Sequence, residues 1–142
     1  MKILLVEDSA LVLKYKIQIL RSAGHTVRAT RNGDEAAKHY DERRYDLVLT
    51  DLWHPGLEGH NLIKRIFEKN PRQVVGVISS TTVMEEKIRV PILQTPCKPD
   101  ELLAFIRDIT GSPEQRKQAF QLARRSTDWD QTVCAKAQKI RV

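Results

Sequence analysis

Cysteine is nearly absent from this chain: Cys97 and Cys134 are its only two in 142 residues. Two thiols cannot build a disulfide framework, and their positions suggest no metal site. Long apolar runs are missing as well, and none approaches the roughly 20 residues that a bilayer span requires. Met1-Lys2 is followed by only four apolar residues before Glu7-Asp8, too few for the core of a signal peptide. These absences lead to the expectation of a reduced, cytoplasmic protein with no membrane role. Internal repeats and low-complexity segments are lacking too. An excess of one charge sign is lacking until late in the chain. Residues 1–110 hold 17 Lys/Arg against 15 Asp/Glu, whereas residues 111–142 hold 7 against 3. Such a basic tail can meet nucleic acid or an acidic partner, although a solvated helix face is the commoner role.

What the chain does have is a set of short apolar runs with polar ends. Ile3-Leu4-Leu5-Val6 leads into Glu7-Asp8, and Leu47-Val48-Leu49-Thr50 leads into Asp51. Val74 to Ile78 leads into Ser79, and Pro91 to Thr95 leads to Lys98-Pro99. A weaker run spans His25 to Ala29. Segments of helical spacing lie between them. Leu11, Tyr15, Ile19 and Leu20 form one stripe, ended by Gly24 where a left-handed residue is expected. Asn32-Gly33-Asp34 precedes a second helix through about Arg43. Leu62, Ile63, Ile66 and Phe67 mark a third, which stops before Asn70-Pro71. Thr81 to Arg89 allows a short or irregular fourth. Asp100 is placed to cap a last helix whose Leu102, Leu103, Phe105, Ile106 and Ile109 face the sheet.

Strand and helix thus alternate five times in about 110 residues, which predicts an α/β fold with a parallel sheet covered on both faces. Right-handed crossovers favour a doubly wound, flavodoxin-like (βα)5 sheet in the order 2-1-3-4-5. Residues 1–110 form the expected domain. Gly111-Ser112-Pro113-Glu114 then reads as a break and a new helix start, giving residues 111–142 the character of a basic helical tail or linker.

In such a sheet Glu7, Asp8, Asp51, Ser79 and Lys98 gather at the carboxyl edge of the strands, where open α/β sheets bind ligands. Carboxylates, a hydroxyl and an ammonium in one crevice suit a hard divalent cation and a phosphoryl group. Singly, each has a plainer role: a strand-end Asp often caps a helix, and a lone Lys is usually a surface residue. The set in order is what carries weight.

With these residues in place, residues 1 to about 110 resemble the receiver domain of bacterial two-component response regulators. The segment Asp51-Leu52-Trp53-His54-Pro55-Gly56-Leu57-Glu58-Gly59 has the spacing of that family's phosphoacceptor loop. The resemblance implies that Asp51 accepts a phosphoryl group from a sensor histidine kinase or a histidine phosphotransfer protein. It implies Mg²⁺, or Mn²⁺, held by Glu7, Asp8, Asp51 and the backbone carbonyl of Trp53. It gives Ser79 and Lys98 the role of binding the phosphoryl oxygens, and marks Pro99 as a cis-peptide or site-loop residue. Ser80, directly after Ser79, is the other candidate for the hydroxyl. Further partners implied are a second copy of the chain and a downstream effector domain or protein. The protein is expected to be no enzyme beyond its own phosphorylation and dephosphorylation.

The chain departs from the family in several places. Thr95 stands where an aromatic switch residue is common, Pro96 stiffens the same stretch, and the fourth helix is short. A pseudo-receiver, kept as a phosphorylation-independent protein scaffold, is therefore the alternative reading. Direct DNA binding is not expected, because residues 111–142 lack the length and turn punctuation of a helix-turn-helix. His54 and His60 sit near the site, but hard cations prefer oxygen ligands. Cys97 beside Lys98 reads as a structural thiol rather than a reactive one.

Overall fold

The computed structural model describes residues 1–53, 56, 58–80 and 90–111. The chain runs β1 (Lys2–Val6), α1 (Ala10–Ser22), β2 (Thr26–Thr30), α2 (Gly33–Glu42), β3 (Leu47–Thr50), α3 (Gly59–Lys69), β4 (Val75–Ser79), β5 (Ile92–Gln94) and α4 (Pro99–Thr110). The helix expected at Thr81–Arg89 and the helical tail expected beyond Gly111 lie outside the described residues.

The five strands form one sheet in the order β2-β1-β3-β4-β5, and every neighbouring pair is parallel. This is the doubly wound, flavodoxin-like arrangement. Its cause is visible in β1 and β3, whose residues are apolar at successive positions, as a strand covered on both faces requires. Leu4, Val6, Val48, Val75 and Val77 pack on one side with Ala36, Ala37, Leu62, Ile63 and Ile66 of α2 and α3. Ile3, Leu5, Leu47, Leu49 and Ile78 pack on the other with Leu20 of α1 and Leu102, Ile106 and Ile109 of α4. Two cores back to back hold the sheet rigid, and with it the loops at its carboxyl edge.

The helix ends follow their residues. Ser9 caps α1, its Oγ accepting from the Val12 N–H, and Asn32 Oδ1 accepts from the Asp34 and Glu35 N–H groups at the start of α2. Gly24 has φ +89°. The His25 N–H reaches back to the Leu20 carbonyl and the Gly24 N–H to that of Arg21, the paired bonds of a Schellman closure. At the other end of the chain Asp100 is not the cap. Lys98 holds that position, Pro99 opens α4, and the Glu101 carboxylate accepts from the Lys98 N–H at 2.8 Å. The cis peptide lies at Thr95–Pro96, so Pro99 serves as a helix starter and the earlier proline carries the cis bond.

The stripe expected on α1 holds at Ile19 and Leu20 but not at Leu11 and Tyr15. Leu11 and Tyr15 point outward, 79% and 49% exposed, while Leu13, Ile17, Ile19 and Leu20 pack on the sheet. Lys16 shares that inward face and is only 4% exposed. The inward positions 13, 16, 17 and 20 have ideal helical spacing, but one of them is a lysine.

Candidate functional site

Glu7 and Asp51 are held by the sheet itself. The Glu7 N–H donates to the Thr30 carbonyl and the Asp51 N–H to the Val6 carbonyl, both at 3.1 Å, so each acid prolongs a strand ladder by one step. Asp8 follows Glu7 out of β1, and its carbonyl accepts from Arg31 Nε at 2.7 Å. One carboxylate oxygen from each of Glu7, Asp8 and Asp51 lies within 4.8 Å of the others. Exposure grades across the trio: Glu7 is buried, Asp51 half-buried and Asp8 exposed. The cluster therefore opens to solvent on one side.

The loop after β3 is drawn against the site. Asp51 Oδ1 accepts from the Leu52 N–H at 2.6 Å, and the Thr50 hydroxyl donates to the Asp51 carbonyl at 2.7 Å. The Gly59 N–H donates to the Leu52 carbonyl at 3.0 Å. A Cβ at Gly59 would stand 2.3 Å from the Asp51 carbonyl oxygen and 2.7 Å from the Leu52 Cα. Glycine is thus required where α3 begins, because any side chain there displaces the backbone of the candidate phosphoacceptor. Trp53 lies two residues beyond Asp51 with its ring mostly exposed.

Glu7 has a partner that the strand-end pattern does not reveal. Its Oε2 accepts from Lys16 Nζ at 2.5 Å, and its Oε1 accepts from the Ser9 N–H at 3.2 Å. Both side chains of the ion pair are about one-twentieth exposed. Burial pushes the Glu7 carboxyl above its ordinary value of 4.5; the Lys16 ammonium and the Ser9 N–H oppose this, and the charge of Asp51 adds a smaller upward push. The sequence signal for Lys16 is a polar residue at a core position of α1, hidden because Leu11 and Tyr15, two of the four residues of the expected stripe, face outward.

A cavity of about 370 Å³ adjoins the acids, lined by Glu7, Lys16, Asp51, Ser80, Thr95 and Cys97 among others. Ser79 is the last residue of β4 and is 1% exposed, with its carbonyl accepting from the Thr95 N–H at 3.0 Å. Ser80, exposed, is the serine that faces this cavity. Lys98 is brought to the same edge by β5 and is exposed. Among the described residues no ion pair joins its ammonium to Asp51; the ammonium engaged with the acid cluster is that of Lys16. Cys97 is half-buried, and burial raises its thiol pKa while Lys16 partly offsets that, which agrees with a structural thiol. His60 pairs with Glu58 at 3.4 Å, and His54 and Pro55 lie outside the described residues.

The donor set fits a hard cation. Three carboxylates offer oxygen only, and with both oxygens of Glu7 already bonded to nitrogen donors, Asp8 and Asp51 have the freer ones. Mg²⁺ characteristically takes one or two carboxylates and completes its shell with water and phosphoryl oxygens.

A five-stranded parallel sheet in this order, with acids at the ends of its first and third strands, is the architecture of a receiver-type domain. Residues 3–106 match the family model described as the response regulator receiver domain, and the chain belongs to that family. It is 35% identical over 89 residues to the transcriptional regulatory protein ResD of Bacillus subtilis, covering 63% of this chain and 36% of ResD. It is 33% identical over 92 residues to a gliding motility regulatory protein of Myxococcus xanthus, covering 63% of this chain and 12% of that protein. The chain thus spans about a third or less of these relatives' length. Among solved structures, the receiver domain of a sensor histidine kinase from Pseudomonas aeruginosa, with magnesium coordinated in its active-site cleft, matches with a TM-score of 0.73 and 25% identity, covering 78% of this chain and 98% of that one. The chemotaxis protein CheY4 of Vibrio cholerae matches with a TM-score of 0.71 at 22% identity over 76% of this chain and 97% of that one, a likeness of fold.

Proposed function

We propose that this receiver domain accepts a phosphoryl group on Asp51 from a histidine kinase or histidine phosphotransfer protein, and that the phosphorylated state alters partner binding. The observation that carries this reading is the meeting of Glu7, Asp8 and Asp51 oxygens within 4.8 Å at the carboxyl edge of the sheet. In the transfer, an Asp51 carboxylate oxygen bonds to phosphorus while the bond from phosphorus to the donor imidazole nitrogen breaks and its electron pair returns to the ring. A bound Mg²⁺ or Mn²⁺ would offset the charge that accumulates on the phosphoryl oxygens. Asp8 and Asp51 are the carboxylates best placed to hold it, with Glu7 behind them and the Trp53 carbonyl as the backbone ligand the family suggests. The Leu52 N–H fixes the plane of the Asp51 carboxylate. Lys98, on the exposed lip, and Ser79 or Ser80, at the end of β4, are the groups to bind phosphoryl oxygens.

A cytoplasmic setting goes with this proposed function; no helix among the described residues is long and apolar enough to cross a membrane. A downstream effector and a second copy of the chain are the partners this function would engage. No reaction on an external substrate is proposed. The test is labelling of the 142-residue chain by acetyl phosphate with Mg²⁺. Wild type should incorporate phosphate and Asp51→Asn should lose essentially all of it; full labelling of Asp51→Asn rejects the assignment.

The pseudo-receiver reading is favoured by one observation, that the ammonium paired with the acid cluster belongs to Lys16 and not to Lys98. Partner affinity identical for wild type and Asp51→Asn, with or without phosphodonor, would select that scaffold role.

A further inference from the structure

Lys16 occupies a core position of α1, between Leu13, Ile17 and Leu20, yet it carries a charge into the sheet's carboxyl edge. Its environment rules out a casual surface contact. The ammonium and the Glu7 carboxylate are both buried, 2.5 Å apart, and both residues line the cavity that Asp51 lines. Placing an ammonium at a buried position is costly unless it is paired and hydrogen-bonded, and the partner here is one of the three acids that define the candidate cation site. The trio therefore has a covalently attached cation, delivered by the protein itself.

We propose that Lys16 acts as an internal counter-cation that competes with the divalent ion, holding Glu7 so that the site binds Mg²⁺ weakly until the pair is loosened. The inference rests on the reading of Glu7, Asp8 and Asp51 as a divalent-cation site. Two physical arguments carry it. Lys16 neutralises one of the three carboxylates, which removes part of the attraction for an incoming cation. Its own positive charge also repels that cation from within the same cavity, where screening by salt is weak. The competition is reciprocal: a ligand disfavoured by the Lys16–Glu7 pair must disfavour that pair in return. Lys16 is on this account no ligand of the cation; it acts through its hold on Glu7 and through its own charge.

The experiment is calorimetric titration of MgCl2 into the 142-residue wild type and into Lys16→Met, which keeps the side chain's length and supplies the apolar character of its neighbours. Lys16→Met should bind Mg²⁺ about tenfold more tightly or better, and saturating Mg²⁺ should raise its melting temperature by more than it raises that of wild type. Unchanged or weaker binding by Lys16→Met, beside normal binding by wild type, overturns the proposal and leaves the cation site standing. Absence of binding by both proteins overturns the site and the proposal together. Wild type supplies a second measurement that needs no variant. The ¹⁵Nζ resonance of Lys16 should shift on addition of Mg²⁺, saturating with the dissociation constant that calorimetry gives. A resonance that stays fixed while Mg²⁺ binds overturns the competition.

Discussion

Two carboxylates in this domain are each paired with a lysine, and they respond in opposite directions. Asp41 of α2 meets Lys69 and Arg65 of α3 at the surface. Its carboxyl is held below the ordinary value of 3.8, chiefly by the Lys69 hydrogen bond, with Arg65 adding to it. Glu7 meets Lys16 under the sheet's carboxyl edge, and its carboxyl is pushed above 4.5 because burial outweighs the ammonium beside it. The ion pairs are alike in chemistry, and water separates them. At the surface both ions keep most of their hydration, so attraction is a small net gain. Under the sheet both lose it, so the pair is held together by the cost of leaving either member alone.

The largest way to break this comparison is to remove the buried ammonium. In cation-free buffer Lys16→Met should lose about 3 kcal/mol of unfolding free energy, read by urea denaturation, because Glu7 is left buried without its partner. Adding Glu7→Gln to Lys16→Met should recover much of that loss, since both charges are then gone. A smaller effect is expected at the surface. Asp41→Asn should cost under about 1 kcal/mol, and added salt should shrink the difference. If Asp41→Asn proves the more damaging change, the contrast between the two pairs is wrong.

The finest test is pH. Asp41 titrates lower in the folded chain than in the unfolded one, so its stabilisation is whole above pH 3.8 and lost as pH falls through the folded value. Glu7 titrates higher in the folded chain, so its contribution is whole below pH 4.5 and lost as pH rises through the folded value. The stability difference between wild type and Asp41→Asn should therefore shrink on acidification. For Glu7→Gln, acidification should shift the balance toward wild type. Urea denaturation of the three proteins from about pH 3 to about pH 7 reads both slopes. Slopes of the same sign would remove the distinction.

Much of this was legible in the residues. Glu7-Asp8 and Asp51 each follow an apolar run, and a strand's end is a place that local sequence marks well. The strand order followed from alternation and handedness. What escaped was the orientation of α1. Between Ala10 and Ser22 apolar residues occur on both faces, at Leu11, Val12 and Tyr15 as well as at Leu13, Ile17 and Leu20. Periodicity then yields two defensible stripes, and the true one was disguised by a charge in its middle. The position of the cis bond, at Thr95–Pro96 and not at Pro99, was likewise out of reach, because the short stretch between β5 and α4 has no periodicity to tell its two prolines apart.

The order of the residues along the chain was enough to determine a two-sided parallel sheet and the acids at its edge, since both depend on patterns a few residues long. Only the tertiary structure decided which lysine those acids meet. Lys16 and Glu7 are nine positions apart on a helix and a strand end, and their contact depends on how α1 rolls against β1. That roll is set by packing of the whole face, which no short stretch of residues contains.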